Sequence, residues 1–365
     1  MTDDELQSKT ITWLRFPMIV GVLLIHSYNP NLNNGGMLLG NGKATYLLFQ
    51  FTRNLFSEVL ARFCVPLFFL LAGYLFFYRL SSFSPAIYLD KLKKRTGSLL
   101  VPYLFWNALA IITYVLCQQV LKLHTLAYGA VPSVSSWEWT DYLKCFWAIR
   151  APHYPLVYPL WFLRDLMVTI LLTPFIYAGI RYLKIFFVLF FFSLWISNTS
   201  IVSIVGVNME ALFFFSLGAY FSINQKNLVT ESRKVFRLSL YTYPPVALAD
   251  VLSKGHEIDR YIHPAGMLLG ILFTVNLVAY LLQHNKIRES AYLAGASFFV
   301  YAAHEQMLSQ IRKMLATVIP LRSEIAYFAL YLLPMLLTIF ITLSIYYLLK
   351  KYCPAAMKIM VGARK

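Results

Sequence analysis

The chain is a series of long apolar segments separated by short stretches that carry most of its polar and basic residues. A helix needs about 20 apolar residues to cross the roughly 30 Å hydrocarbon core of a bilayer. About ten segments meet or approach this length. We therefore predict an all-α polytopic membrane protein with about ten transmembrane helices, in a single domain of residues 1–365. The predicted spans are residues 11–28, 56–78, 97–118, 159–180, 183–197, 201–222, 236–252, 264–283, 291–311 and 325–349.

Three features interrupt this pattern. The spans at 183–197 and 236–252 are short, and the second contains Pro244-Pro245, which we expect to break or kink the helix. The longest connection, residues 119–158, is rich in Trp and Pro and is interpreted as a structured lid or an interfacial segment. No internal repeat is visible, which weakens a transporter interpretation based on inverted repeats.

Composition and charge support the membrane interpretation. Hydrophobic residues make up 59% of the chain and charged residues 13%, against about 25% in soluble domains. The formal net charge of +16 indicates basic residues that lie in cytoplasmic loops and contact anionic lipids. We predict no nucleic-acid partner. The four cysteines have no paired spacing, and we predict no metal site.

The distribution of Lys and Arg predicts the orientation. If the N-terminus is inside, most of the 32 basic residues fall in segments assigned to the inner side. We therefore expect both termini in the cytoplasm and a multi-pass protein of the plasma or inner membrane. The first apolar segment has no cleavage-like site and is interpreted as a retained helix.

Arg15 and His26 lie in the first span, eleven residues apart. This spacing returns to the same helix face and separates them by roughly 16 Å along the axis. Ionisable groups are costly in hydrocarbon, so the pair is a candidate functional site. The alternative is an interfacial anchoring Arg together with a His that only packs.

Further ionisable residues fall near the predicted outer ends of other spans. We predict that these groups and His26 line one outward-opening polar cavity, although each alone would also suit an interfacial residue. His26 and His304 each lie about 20 Å from the inner start of their spans, which predicts a similar depth. The outer set comprises Arg62, Arg164, Asp165, Glu210 and His304, with Glu305 beside His304.

Arg164 and Asp165 are adjacent, so their side chains should point about 100° apart. We expect Asp165 to pair instead with a cation from another span, such as Arg62. A basic cluster, Lys91, Lys93, Lys94 and Arg95, is interpreted either as ordinary positive-inside charge or as a seat for a phosphorylated donor.

Five motifs, in order, are similar to those of the integral-membrane acyltransferase family 3. They cover nearly the whole chain, without an appended extracellular domain. They are Arg15-x10-His26; the segment from Val65 to Tyr74; Lys93-Lys-Arg95 with Val101-Pro-Tyr103 and Trp106; Leu160-Trp-Phe-Leu-Arg-Asp165; and Ser297-Phe-Phe-Val-Tyr-Ala-Ala-His304.

The resemblance implies transfer of an acyl group, commonly acetyl, from cytoplasmic acyl-CoA to a hydroxyl of a cell-surface or exported glycan or lipid-linked sugar. Membrane lipids and these two substrates are the expected partners. A secondary transporter and a non-catalytic scaffold are the alternatives. The expected site residues are His26 and Arg15 for catalysis; Arg15, Lys91, Lys93, Lys94 and Arg95 for the donor; and Arg62, Arg164, Asp165, Glu210 and His304 for the acceptor.

Overall fold

The computed structural model describes residues 1–27, 46–80, 82–120, 131, 133–199 and 204–362, and these residues form helices and connecting turns without a β-strand. We number the helices in chain order. They are α1 (Asp3–Ser27), α2 (Leu47–Phe77), α3 (Pro85–Val120), α4 (Trp139–Lys144), α5 (Trp161–Leu171), α6 (Thr173–Leu183), α7 (Ile185–Ile196), α8 (Met209–Ile223), α9 (Leu228–Arg233), α10 (Phe236–Ser253), α11 (Asp259–Gln283), α12 (Ala291–Val318), α13 (Glu324–Tyr352) and α14 (Pro354–Val361). The α2 and α3 bounds include π-helical stretches.

The helical class predicted from the sequence is confirmed, and every predicted span overlaps a helix. In the described part of the chain, α1, α2, α3, α11 and α13 are long and apolar enough to cross a membrane. A sixth span results if α5 and α6 count as one bent pair. The protein is therefore a multi-pass membrane protein, while the total of ten spans and the sides of the termini stay predictions.

The bend between α5 and α6 is 59° and lies beside a proline. Pro174 occupies the first turn of α6, where it has no N–H for a bond back into α5. The hydroxyl of Thr173 donates to the carbonyl of Ile170 at 2.7 Å. This bond satisfies one of the carbonyl groups that the end of α5 leaves without a helical partner.

Pro244 and Pro245 do not break their helix, because α10 runs continuously from Phe236 to Ser253. The predicted break is therefore absent. Neighbouring helices and hydroxyl side chains commonly compensate for proline inside membrane helices.

The first of two compact units comprises Met1–Arg79, Leu217–Ser297 and Met307–Ile341. Its helices approach one another closely at glycines. A Cβ at Gly21 of α1 would lie 2.4 Å from the sulfur of Cys64 in α2, and one at Gly218 would lie 1.9 Å from the carbonyl oxygen of Leu70. Small residues allow such close packing where hydrocarbon provides no hydrophobic drive. The first contact holds α1 against α2, and the second holds α8 against α2.

The second unit comprises Leu80–Ser216, Phe298–Gln306 and Thr342–Lys365. Trp106 of α3 packs edge-on against Phe299 at 5.6 Å between ring centroids. Its indole N–H donates to the carbonyl of Met360 at 2.9 Å. The C-terminal helix α14 is therefore held against α3 by an interaction that uses a buried aromatic side chain.

The described part of the connection between α3 and α5 is ordered by buried hydrogen bonds. The amide oxygen of Gln118 accepts from the backbone N–H of Val134 at 2.8 Å, and that of Asn107 accepts from Val157 at 3.2 Å. The hydroxyl of Tyr103 donates to the carbonyl of Phe146. The expectation of a structured segment is therefore confirmed for the described residues.

Candidate active site

Arg15 and His26 lie on one unbroken helix, α1, as the sequence predicts. Arg15 is exposed and His26 is half-buried. At about 1.5 Å per residue, the helix separates them by roughly 16 Å along its axis. One rigid element of the first unit therefore carries both the candidate cation and the candidate imidazole.

Side chains from two other segments bind the carbonyl groups at the end of α1. The hydroxyl of Ser57 donates to the carbonyl of Leu24 at 2.6 Å, and Arg312 of α12 donates to the carbonyl of His26 at 2.7 Å. The last carbonyls of a helix have no helical partner and attract cations. Arg312 therefore fixes the backbone that carries His26. The sequence analysis missed Arg312, which lies one residue beyond the predicted span 291–311.

Arg62 forms an ion pair with Glu58, one turn earlier in α2, at 2.6 Å. The predicted pairing with Asp165 is wrong. The i,i+4 spacing of Glu and Arg brings the two side chains together on one helix face, and this spacing is readable in the sequence. The Arg62 side chain keeps 37% of its surface exposed, so this pair is a surface feature of its unit.

In the second unit, Arg164 and Asp165 are each only 4% exposed and pair with each other. Nε and Nη2 of Arg164 lie 3.0 and 2.9 Å from one carboxylate oxygen of Asp165. The expectation that neighbours on a helix would not be partners is wrong. The flexible arginine stem folds back along the helix, and burial makes the nearest opposite charge the one that compensates each group.

Arg164 also binds the segment that precedes its helix. Nη1 donates to the carbonyls of Trp147 and His153, at 2.6 and 2.8 Å, and the guanidinium lies 5.6 Å from the centre of the Trp147 ring. One guanidinium therefore uses its donors for a carboxylate and two carbonyls. Arg164 is an internal anchor of the second unit rather than a group that faces solvent.

Asp165 lies in a closed polar network. Its carboxylate also accepts a hydrogen bond from the Asn208 side chain. The amide oxygen of Asn208 accepts from the backbone N–H of Glu210 at 2.9 Å, at the start of α8. Tyr103 and Tyr301 lie close enough to interact electrostatically with Asp165. The sequence analysis missed Asn208, although an Asn before a helix start is a typical cap residue. It named both tyrosines only as parts of its motifs and gave them no role in the site.

His304 is fully buried on α12, with no exposed surface. Its Nδ1 lies 2.5 Å from the carbonyl oxygen of Tyr301, one turn earlier. A carbonyl only accepts hydrogen bonds, so Nδ1 of His304 carries a proton. A carboxylate oxygen of Glu305 lies within 4.8 Å of a ring nitrogen. The ring of His304 is therefore held by the backbone of its own helix.

The basic cluster lies at the start of α3. Lys93 and Lys94 are exposed, while Lys91 and Arg95 are half-buried. Lys94 forms an ion pair with Asp90 at 2.7 Å. Such a surface suits a phosphate-bearing ligand, which both lysine and arginine bind.

A second buried charge cluster connects α10 and α11 in the first unit. The ammonium of Lys254 lies 2.7 Å from Asp250 and 2.9 Å from Asp259, and His263 lies 3.0 Å from Asp250. Ligand atoms of the two carboxylates and His263 are close enough to hold a metal ion. Because Lys254 already binds both carboxylates, the arrangement is an ion-pair cluster that ties the two helices together.

Long apolar helices define the chain as a multi-pass membrane protein, and several of them carry ionisable side chains. Residues 9–347 match the acyltransferase domain family. The chain belongs to this family, acyltransferase 3, as its sequence motifs predict, and the protein is an acyltransferase.

The chain is also similar to the succinoglycan biosynthesis protein ExoH of Rhizobium meliloti (strain 1021). The two are 25% identical over 367 residues, which cover 98% of this chain and 92% of ExoH. No solved structure matches the chain.

Proposed function

We propose that this protein transfers an acetyl group from cytoplasmic acyl-CoA to a hydroxyl of a cell-surface or exported glycan, or of a lipid-linked sugar, at the plasma or inner membrane. The family assignment supports acyl transfer. The name of ExoH places that relative in the biosynthesis of a polysaccharide, which supports a glycan acceptor here. No observation on the described residues favours the alternative of a secondary transporter.

The observation that carries the proposal is His26, half-buried on the same apolar helix as the exposed Arg15. Imidazole titrates near neutral pH and serves either as a general base or as a nucleophile that carries the acyl group. A guanidinium binds phosphate through two parallel hydrogen bonds and also stabilises an oxyanion. One helix thus supplies both a base or nucleophile and a cation that can bind phosphate or stabilise the oxyanion.

Transfer begins with attack on the thioester. If His26 is the base, it takes the proton of the acceptor hydroxyl while that oxygen attacks the acyl carbonyl carbon. The tetrahedral oxyanion then collapses, the carbon–sulfur bond breaks, and the proton passes to the coenzyme A sulfur. If His26 is the carrier, the imidazole attacks first, coenzyme A leaves, and the acceptor hydroxyl removes the acyl group from nitrogen.

Arg15 and the basic cluster (Lys91, Lys93, Lys94 and Arg95) are the proposed donor site. The exposed positions of Arg15, Lys93 and Lys94 support contact with the phosphates of coenzyme A. This assignment requires the inner-side orientation predicted from the Lys and Arg distribution.

The proposed acceptor residues divide by exposure. The half-buried Arg62 and Glu210 are proposed to meet the acceptor directly, whereas His304, which has no exposed surface, is proposed to support the acceptor site from within. Arg164 and Asp165 are buried and paired, which supports a role in holding the acceptor site in shape rather than touching the sugar.

A transfer assay on the purified full chain in lipid nanodiscs tests the proposal. Radiolabelled acetyl-CoA is the donor, and oligosaccharides from the surface polysaccharide of cells that lack the protein are the acceptors. The wild type should label the oligosaccharide as an alkali-labile ester. His26→Ala should abolish labelling, while His284→Ala, at an exposed position on α11's C-terminal side, should retain it. Equal labelling by His26→Ala and the wild type would refute the assignment.

The two roles of His26 are separated by rapid quenching and mass measurement without acceptor. An acetyl group on His26 identifies the carrier mechanism. Its absence, together with normal transfer when acceptor is added, identifies the general base.

A further inference from the structure

The segment between α3 and α5 presents two exposed aromatic residues whose backbone carbonyls both bind a single buried guanidinium. Nη1 of Arg164 binds the carbonyls of both Trp147 and His153. Both carbonyls therefore lie within a hydrogen-bond length of one nitrogen atom. Arg164 itself is 4% exposed, whereas the Trp147 side chain is 45% exposed and His153 is exposed.

Trp147 is fixed on two further sides. The guanidinium of Arg164 lies against its ring at 5.6 Å from the ring centre. A Cβ at Gly206 would come within 3.4 Å of the edge of the same ring. The indole thus lies against the guanidinium on one side and close to Gly206 on another, yet almost half of the Trp147 surface remains accessible. A large aromatic side chain that is rigid and exposed loses little entropy when a ligand covers it.

The chemistry of the pair fits a sugar ring. A pyranose presents a flat face of C–H groups edged by hydroxyls. An indole offers a broad apolar face, and an imidazole offers hydrogen-bonding nitrogens. Ligand sites typically combine aromatic surface with a few placed polar groups in this way.

We propose that Trp147 and His153 form the subsite that binds a pyranose ring of the acceptor, with Arg164 as the residue that positions both. This inference rests on the proposed function, because it names where the glycan acceptor binds. It explains why an arginine is buried and hydrogen-bonded to two carbonyls and a carboxylate: it fixes the backbone that carries the two exposed side chains.

Trp139 provides a matched control in the same segment. Its side chain is 74% exposed at the start of α4. Within the described residues, the structure gives this indole no anchor comparable to Arg164. A tryptophan at a membrane interface acts as a general anchor for the protein. If Trp147 only served that purpose, substitution of either tryptophan would have the same consequence.

The test measures oligosaccharide binding and transfer kinetics with the full chain in lipid nanodiscs. The probe is the oligosaccharide prepared from the surface polysaccharide of cells that lack the protein. Trp147→Ala should weaken binding and raise the KM for this acceptor by at least about tenfold, with kcat nearly unchanged. Trp147→Phe should restore much of the affinity, His153→Ala should weaken binding several-fold, and Trp139→Ala should match the wild type.

Three outcomes would overturn the inference: no binding of the oligosaccharide by the wild type, unchanged binding by Trp147→Ala, or equal weakening by Trp147→Ala and Trp139→Ala. The last result would assign Trp147 to the membrane interface. His26→Ala keeps the two proposals distinguishable, since it should bind the oligosaccharide normally without transferring acetyl. Binding that depends on Trp147 in a wild type without transferase activity would refute the proposed function and leave the subsite.

Discussion

Helix α1 and the surroundings of Arg164 both contain ionisable groups, but these groups differ in their exposure. On α1, Arg15 is exposed and His26 is half-buried. Around Arg164, the guanidinium and its carboxylate partner are each 4% exposed and are joined by carbonyl and amide groups. The ionisable groups of α1 are therefore partly or fully accessible, whereas those around Arg164 are buried.

This difference helps to distinguish ionisable residues that can react with a substrate from those that hold the structure together. A charge that is buried and fully hydrogen-bonded is costly to disturb, because removal of one partner leaves the other uncompensated. A reacting group must remain reachable by its substrate. This difference supports the proposal that His26 and Arg15 carry out the transfer chemistry and that Arg164 and Asp165 hold the acceptor site in shape.

The largest expected effect is on activity at His26. His26→Ala should lower acyl transfer by at least about 100-fold, the usual contribution of a general base. The thermal unfolding temperature should stay near that of the wild type, since the bond from Arg312 goes to the backbone carbonyl and survives the substitution. Steady-state transfer and differential scanning measurements check both expectations. A variant that loses stability in proportion to activity would contradict the assignment.

The next effect is on stability at the buried pair. Arg164→Ala should destabilise the protein by about 3–5 kcal/mol, because it leaves Asp165 as an uncompensated buried charge. Arg62→Ala is the control: its pair with Glu58 is partly exposed and should be worth at most about 1 kcal/mol. Denaturant unfolding of the two variants, followed by tryptophan fluorescence, measures the difference. Equal destabilisation would show that Arg164 is not enclosed in solution.

A smaller effect is expected at Arg15. Arg15→Lys keeps the charge and loses the bidentate fork, so it should weaken acyl-CoA binding by about tenfold, as measured by equilibrium binding of a radiolabelled donor. Arg79→Lys serves as the control, because Arg79 is exposed and already paired with Asp4 at 3.1 Å. If both variants bind the donor as tightly as the wild type, the donor site lies elsewhere.

The smallest effect concerns access to the ordered segment that Arg164 anchors. Cys145 in this segment has no exposed surface, and burial raises the pKa of its thiol to about 12. In single-cysteine proteins, a maleimide should label the exposed Cys353 readily and leave Cys145 unlabelled until the protein is unfolded. The thiolate is the reactive form, and the raised pKa keeps the Cys145 thiol protonated at both pH 7 and pH 9. Raising the pH from 7 to 9 should therefore not increase labelling of Cys145. Comparable labelling at both positions would show that the segment opens.

The sequence predicted the helices and the placement of Arg15 and His26 on one of them, because apolar segment length and helical spacing are local properties. Partners of charged groups were less predictable. Asp165 was expected to reach another span, yet its neighbour Arg164 folds back onto it. The rotamer of a long side chain depends on burial and on acceptors from distant segments, here the carbonyls of Trp147 and His153, and no spacing rule contains that information.

Two ion pairs could have been predicted from the sequence. Glu58 and Arg62 have the i,i+4 spacing of a helical ion pair, as do Asp250 and Lys254. The role of Arg312 could not be predicted, because its contact with the His26 carbonyl depends on how α12 packs within the first unit. Sequence patterns specify which face of a helix a residue occupies, whereas tertiary packing decides what that residue touches.

The most direct test of the account measures turnover and stability together for His26→Ala and Asp165→Asn, each in the full chain in lipid nanodiscs with the same donor and oligosaccharide acceptor. The account predicts that His26→Ala loses turnover at an unchanged unfolding temperature. It predicts that Asp165→Asn, which leaves the buried guanidinium of Arg164 without its counter-charge, unfolds at a clearly lower temperature. The opposite pattern, an inactive but stable Asp165→Asn beside an active His26→Ala, would contradict it.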